Sequence, residues 1–220
     1  LALFLLLIRS RDRDALAHYA RLCIDNIHAQ IRHYECPTLT TVSLVQGDAL
    51  GGGFEMALCA DVLVAEESAM LGFPEILFNL FPGMGAYSLL ARRMGMRAAE
   101  ELILSGKVLP AAKLHEMGVV DVLARDGEGE AAVTEWIMKN ERRRNGMQAV
   151  FAARQLVHPV TREELDAITE TWGDAALRLE DRDLKMMSRI VRAQMRRMDV
   201  GDVSDVTAAA LEEEKLAVAV

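Results

Sequence analysis

The 220-residue sequence has few cysteines, few aromatic residues and no excess of positive charge. Its cysteines, Cys23, Cys36 and Cys59, are widely spaced, with no C-x-x-C pair and no histidine nearby at a metal-ligand spacing. This pattern predicts neither a disulfide framework nor a zinc site, and it is typical of the reducing cytoplasm. With 33 acidic against 25 basic residues, the chain also lacks the basic charge of a broad nucleic-acid surface. We therefore expect a cytoplasmic protein with no metal ion and no nucleic-acid partner.

Long hydrophobic runs are also missing. The longest apolar stretch covers residues 1–8, whereas a helix needs about 20 apolar residues to cross a bilayer. No basic segment precedes it, so it resembles a buried helical turn and not a signal peptide. The sequence starts inside this run, without Met and without a helix cap. We expect that the beginning of the protein precedes residue 1.

What the sequence does contain is enough apolar material for a sizeable core, with 51% hydrophobic residues. The length fits one large domain, or one domain with an appendage. Three- and four-residue spacing of apolar side chains predicts helix over residues 1–35. A strand at 41–45, a glycine turn, a helix at 54–60 and a strand at 61–65 then form a predicted βαβ unit with parallel strands.

The rest of the chain is predicted to become increasingly helical. Expected elements are strands at 69–73 and 119–124 and helices at 84–94, 97–104 and 111–117. Beyond residue 130 we expect helix up to residue 197, with breaks near 145–146 and 158–159. Thr161 and Glu164 have the spacing of a capping box, which predicts a new helix at this point.

The residues that carry chemistry cluster around a run of three glycines, Gly51, Gly52 and Gly53. Between a strand and a helix, such glycines leave the first helical N–H groups free to face a developing negative charge. A simple tight turn would use the same glycines. Glu55 follows at once among apolar residues, and Glu75 follows Pro74 in a similar setting. Two desolvated acids near one turn suggest an acid/base pair, although helix N-termini favour Glu for purely electrostatic reasons as well.

These motifs resemble one known superfamily. Residues 45–85, VQGDALGGGFEMALCADVLVAEESAMLGFPEILFNLFPGMG, together with LSGKVLPA at 104–111 and GVVDV at 118–122, are similar to crotonases, the enoyl-CoA hydratase/isomerase superfamily. Within it, FPEILFNLFPGMGAYSLLARRMG and HPVTREELDAITETW look most like the diffusible-signal-factor (DSF) synthases of bacterial quorum sensing.

The resemblance implies an α/β fold, a crotonase-type spiral of ββα repeats with a helical C-terminal region. Under this interpretation residues 1–127 form the α/β core, from which the N-terminal strands are missing, residues 128–200 form the helical region, and residues 201–220 form a tail. No cofactor is implied. Members of the family commonly form trimers, so a homo-oligomer is expected here too.

The resemblance also implies roles for individual residues. Gly52 would supply one N–H group of an oxyanion hole, and Glu55 and Glu75 would be the catalytic acid/base pair. The acyl chain would be lined by Leu50, Gly51, Met84 and Trp172. From its helical context alone, Trp172 fits core packing equally well. In this family the second oxyanion donor comes from an earlier strand-loop segment, so either that segment precedes residue 1 or the protein has half an oxyanion hole.

The implied activity is that of a signal synthase, which dehydrates a 3-hydroxyacyl thioester on acyl carrier protein and hydrolyses it to a free cis-2-unsaturated fatty acid. One alternative is an enoyl-CoA hydratase acting on CoA thioesters, and another is a non-catalytic binding protein on a crotonase fold. The resemblance further implies an inhibitory sensor kinase as partner. The arginines at 142–144 and 196–197 could dock an acidic carrier protein, or could simply be solvated.

Overall fold

The computed structural model describes residues 2–36 and 38–197. Its α-helices are Ala2–Ser10 (α1), Arg13–Ile31 (α2), Gly52–Leu58 (α3), Ala86–Met94 (α4), Met96–Ser105 (α5), Ala111–Glu116 (α6), Gly129–Asn140 (α7), Arg144–Val157 (α8), Arg162–Leu177 (α9) and Asp181–Arg197 (α10). Its strands are Val42–Val45 (β1), Ala49–Leu50 (β2), Val62–Glu66 (β3), Met70–Gly72 (β4), Val108–Pro110 (β5) and Val122–Ala124 (β6). Short 3₁₀ helices occupy His33–Glu35, Pro74–Phe78 and Glu141–Arg143.

The strands form two small sheets. In the first, β1, β3 and β6 are all parallel, and Val42 pairs with Val62. In the second, β2 runs parallel to β4, and β5 pairs antiparallel with β4. The predicted parallel pairing of the strands on either side of the glycine turn is therefore confirmed. The two-residue strand β2 and the three-residue strand β5 are too short to give a detectable alternating pattern.

Two hydrophobic clusters hold these elements together. The first surrounds α3 and β3 and includes the stacked rings of Phe54 and Phe73, whose centroids are 4.9 Å apart. The second joins α1, α9 and α10, and Trp172 and Met187 belong to it. A smaller cluster packs α7 against the outer face of the first sheet. A cavity between the two larger clusters holds the candidate site.

The helical predictions are largely confirmed, with three corrections. The predicted continuous helix from residue 161 to residue 197 is divided, because α9 ends at Leu177 and α10 begins at Asp181. The predicted helix over residues 1–35 is divided at Arg11, and Asp12 caps α2 by accepting a hydrogen bond from the Ala15 N–H at 2.9 Å. The predicted break at 145–146 is wrong. Helix α8 runs through both residues and the break falls earlier, at Glu141–Arg143. Gly146 lies in the first turn of α8, where glycine costs about 1 kcal/mol but does not stop a helix.

Other boundaries follow from local hydrogen bonds. The strand predicted at 119–124 covers only Val122–Ala124, because the Val119 and Val120 N–H groups donate to the Leu114 carbonyl. The break before Arg162 is confirmed. The proposed tail at 201–220, residues 198–200 and the side chains of 196–197 lie outside the described residues. The division of the chain at residue 127 stays a prediction.

Candidate active site

All seven residues singled out by the resemblance line a single cavity of about 280 Å³. They reach it from the end of β2, the first turn of α3, the Pro74–Phe78 helix, the loop before α4, and α9. They are Leu50, Gly51, Gly52, Glu55, Glu75, Met84 and Trp172. Tertiary packing thus brings together residues that are more than a hundred positions apart.

The glycine turn gives the cavity its polar floor. Gly51 has a φ of +54°, a conformation that favours glycine, and its N–H donates to the Gly72 carbonyl at 2.9 Å. Its own carbonyl accepts hydrogen bonds from the N–H groups of Phe54 and Glu55. Within the described chain, the N–H groups of Gly52 and Gly53 have no hydrogen-bond acceptor. They are the orphan donors of a helix start, and they can bind a negatively charged oxygen.

Glu55 is only 1% exposed, but its carboxylate receives hydrogen bonds from two backbone N–H groups. Its Oε1 accepts hydrogen bonds from the N–H groups of Met84 at 2.8 Å and Ala86 at 3.1 Å. Ala86 is the first residue of α4, so this helix points its positive end at the carboxylate. Burial nevertheless raises the pKa of Glu55 to about 7, and the two N–H donors oppose that increase.

Glu75 faces the same cavity from the 3₁₀ helix that Pro74 begins. Its Oε1 lies so close to Gly51 that a Cβ at that glycine would overlap it. Its Oε2 is buried and has no hydrogen-bond partner among the residues that the structure describes. Burial, and then the neighbouring charge of Glu55, raise the pKa of Glu75 to about 8. Near neutral pH the pair can therefore hold one carboxylate and one carboxylic acid, the states needed for acid/base chemistry.

The walls of the cavity are apolar. The Met84 side chain lies over the turn, where a Cβ on Gly52 would be 2.6 Å from its Cε. Trp172 packs directly against Gly83, leaving no room for a Cβ there. Phe4 stacks on Trp172 with ring centroids 4.7 Å apart. Both interpretations of Trp172 are thus compatible with its position, because it belongs to the second hydrophobic cluster and also lines the cavity.

Comparison with known proteins identifies the family. The model of the enoyl-CoA hydratase/isomerase family matches residues 11–171. The chain belongs to this family. Among curated members, it is 32% identical to cyclohexa-1,5-dienecarbonyl-CoA hydratase of Thauera aromatica, over 72% of this chain and 61% of that protein. It is 37% identical to the mitochondrial methylglutaconyl-CoA hydratase of Rattus norvegicus, over 50% of this chain and 35% of that protein.

Solved structures of the family confirm the crotonase-type α/β fold. Enoyl-CoA hydratase from Bacillus anthracis superposes with a TM-score of 0.58 at 25% identity, covering 77% of this chain and 64% of that one. DspI from Pseudomonas aeruginosa has a TM-score of 0.57 at 23% identity, covering 89% and 66%. The chain spans between 31% and 61% of the length of the curated relatives that it matches.

Several further side chains line the cavity, although the sequence did not indicate them. They are Phe4, Tyr19, Ala20, Cys23, Phe78, Leu80, Thr169 and Ile190. Tyr19 and Cys23 lie one turn apart on α2, a spacing that core residues share, so periodicity could not reveal them. Burial raises the pKa of the Cys23 thiol, which keeps it protonated. The position of the second oxyanion donor stays a prediction.

The described residues contain no group of three or more His, Cys, Asp or Glu side chains placed to hold a metal ion. Within the same part of the chain, no helix has both the length and the apolar content needed to cross a membrane.

Proposed function

We propose that this site interconverts 2-enoyl and 3-hydroxyacyl thioesters of coenzyme A by adding or removing water. The observation that carries the proposal is the pair of buried glutamates beside the glycine turn, in one apolar cavity, with pKa values raised to about 7 and about 8. The hydratases among the relatives, which are named for CoA thioesters, support the choice of substrate class.

In the hydration direction, the thioester carbonyl oxygen accepts a hydrogen bond from the Gly52 N–H. The Glu55 carboxylate takes a proton from water while the hydroxide oxygen bonds to C3, and negative charge moves to the thioester oxygen. Glu75 then delivers its proton to C2 and becomes a carboxylate. Dehydration reverses each step: Glu75 removes the C2 proton, and Glu55 protonates the departing 3-hydroxyl group.

The hydrogen bonds of Glu55 suit this division of roles. Its Oε1 is held by the Met84 and Ala86 N–H groups, which leaves the second carboxylate oxygen to accept the proton from water. Glu75 has no such donors on Oε2 and lies next to a second acid, so it is the group that holds its proton to higher pH. We infer that Glu55 is the base and Glu75 the acid for hydration.

A second candidate is the DSF synthase activity on acyl carrier protein. Two observations favour it: the resemblance of segments 73–95 and 158–172 to that subfamily, and the position of Glu75, Met84 and Trp172 from these segments in one cavity. Such an enzyme would add a hydrolytic step, in which water attacks the thioester carbonyl carbon and the thiol leaves with a proton. The inhibitory sensor kinase belongs to this candidate as a prediction. The trimer, which the wider family implies, and the cytoplasmic location, which the cysteine pattern indicates, stay predictions under either candidate.

Mass spectrometry of reaction products tests both candidates. The protein is incubated with 2-enoyl-CoA, 3-hydroxyacyl-CoA and 3-hydroxyacyl carrier protein. Under the primary proposal, CoA esters are hydrated or dehydrated, and Glu55→Gln and Glu75→Gln each reduce turnover by about 100-fold or more. Glu67→Gln changes an exposed acid in the turn after β3, outside the cavity, so it serves as the control and should leave turnover unchanged.

The other outcomes are equally informative. Release of a free 2-enoic acid from the carrier protein, lost in the same two variants, would favour the signal synthase over the simple hydratase. Absence of turnover on all three substrates, by folded protein that still binds them, would overturn both candidates and favour the non-catalytic binding protein.

A further inference from the structure

One peptide unit links helix α9 to the catalytic carboxylate. Thr169 of α9 is 7% exposed, lines the cavity, and donates its hydroxyl hydrogen to the Gly83 carbonyl at 3.3 Å. The N–H group of the same peptide unit belongs to Met84 and donates to Glu55 Oε1 at 2.8 Å. The chain of contacts thus runs from the Thr169 hydroxyl, through the Gly83–Met84 peptide, to Glu55.

The planar geometry of the peptide allows the Thr169 hydroxyl to influence Glu55 through this series of hydrogen bonds. In a planar trans peptide the C=O and N–H bonds point in opposite directions, so fixing the carbonyl fixes the direction of the N–H. Trp172, one turn after Thr169, packs on the Cα of Gly83 and restricts the other side of the same unit. A hydrogen bond to the carbonyl also polarises the peptide and makes its N–H a stronger donor.

We propose that Thr169 is a positioning residue, which holds the Gly83–Met84 peptide so that its N–H stabilises the carboxylate of Glu55. This inference rests on the proposed function for its catalytic consequence, but its effect on Glu55 is independent of any substrate. Without the hydroxyl the peptide can rotate, and the hydrogen bond from the Met84 N–H to the Glu55 carboxylate becomes weaker. Glu55 then holds its proton to higher pH, and less of the enzyme has the base ready near neutral pH.

Among the described residues, titratable groups near Glu55 include Glu75 from the Pro74–Phe78 helix, Cys23 from α2, and Cys59 at the end of α3. Tyr19 of α2 lines the same cavity, and burial raises its pKa further above neutral pH. Burial raises the pKa of both thiols, so Glu75 is the group that titrates in the same range as Glu55. A substitution at Thr169 changes none of these groups directly.

Three variants of α9 test the proposal. Thr169→Val removes the hydroxyl and keeps the shape, and Thr169→Ser restores a hydroxyl. Thr171→Val is the matched control, because the exposed Thr171 hydroxyl bonds only to the Ala167 carbonyl of its own helix. The readouts are the ¹³C-carboxyl NMR titration of Glu55, assigned with Glu55→Gln, and the pH dependence of kcat/KM for hydration.

For Thr169→Val, we expect the Glu55 titration midpoint and the acidic limb of the kcat/KM profile to move up together by about half a pH unit. Thr169→Ser should return both to the wild-type position, and Thr171→Val should leave both unchanged. An unchanged Glu55 midpoint in folded Thr169→Val would overturn the proposal, even if melting showed a loss of stability. A shifted midpoint in a protein without hydratase activity would support the positioning role and refute only the proposed function.

Discussion

The two glutamates owe their different proton affinities to hydrogen bonding within one shared pocket. Both are desolvated, which raises the pKa of each. Glu55 receives two backbone N–H groups, and Glu75 has a buried oxygen without a partner. The same apolar cavity therefore yields a group suited to act as base and a group suited to act as acid.

Gly51 of the glycine turn lies directly against the Glu75 carboxylate, so its substitution gives a testable prediction. Gly51→Ala places a methyl group on Glu75 Oε1 and forces alanine into a positive φ. We expect about a 100-fold loss of hydration activity, measured as kcat/KM on 2-enoyl-CoA. The matched control is Gly95→Ala, because Gly95 also has a positive φ, +85°, but lies outside the cavity and a Cβ on it meets nothing within 4 Å. Full activity of folded Gly51→Ala would contradict the assigned contact.

A cap and an ion pair fix the start of helix α9, whose middle contributes Thr169 and Trp172 to the cavity. Thr161 caps it by accepting a hydrogen bond from the Glu164 N–H at 3.1 Å, which confirms the predicted cap. The Glu164 carboxylate receives two hydrogen bonds from Arg92 of α4, at 2.9 and 2.7 Å. Since α4 begins at Ala86, whose N–H donates to Glu55, this ion pair connects both helices to the Glu55 carboxylate.

Helix α1 closes the apolar end of the cavity, and this position predicts an effect on acyl-chain length. Phe4 stacks on Trp172 and lines the cavity, so Phe4→Leu should open space for additional methylene groups. We expect the ratio of kcat/KM for longer over shorter 2-enoyl-CoA substrates to rise by about tenfold.

Leu3→Ala is the control within the same helix, since Leu3 is 56% exposed. It should leave the chain-length ratio at its wild-type value. If Phe4→Leu behaves like Leu3→Ala, then α1 does not limit the length of the acyl chain.

At the scale of the whole molecule, the cavity lies between two hydrophobic clusters, and its buried acids affect global stability. Both glutamates have pKa values raised from 4.5, to about 7 and about 8, so the folded state binds protons more tightly than the unfolded state. Their contribution to stability is fully present below the unfolded pKa and is lost as pH rises through the folded values. The free energy of unfolding should therefore fall between about pH 5 and about pH 9.

Glu75→Gln removes one of these ionisations, because glutamine stays neutral. We expect its Tm to decline less than that of the wild type over this pH range, so that at about pH 9 the variant melts several degrees higher. Glu67→Gln, which alters an exposed acid, should follow the wild-type curve. Parallel Tm curves for the wild type and Glu75→Gln would refute the raised pKa of Glu75.

The local features of this protein could be predicted from its sequence. A glycine run after a strand, Glu55 at the start of the next helix, a Pro-Glu pair and a Thr cap each act within a few residues, through φ preferences, helix ends and capping. The order β1–α3–β3 was also predictable, because the spacing of apolar residues distinguishes strand from helix even in these short segments. Very short strands such as β2 and the continuation of α8 through Gly146 were not, since tertiary packing outweighs weak local signals.

The distant side chains that complete the site could not be predicted in this way, because tertiary packing brings them together. Phe4 and Thr169 come from helices at opposite ends of the chain, and their sequence surroundings match those of ordinary core residues. Their role depends on the packing of α1, α9 and α10 around Trp172. The direction of the Met84 N–H toward Glu55 likewise depends on the Thr169 hydroxyl, which lies far along the sequence on α9. Such contacts are set by the shape and hydrogen bonding of packed elements, which local patterns do not encode.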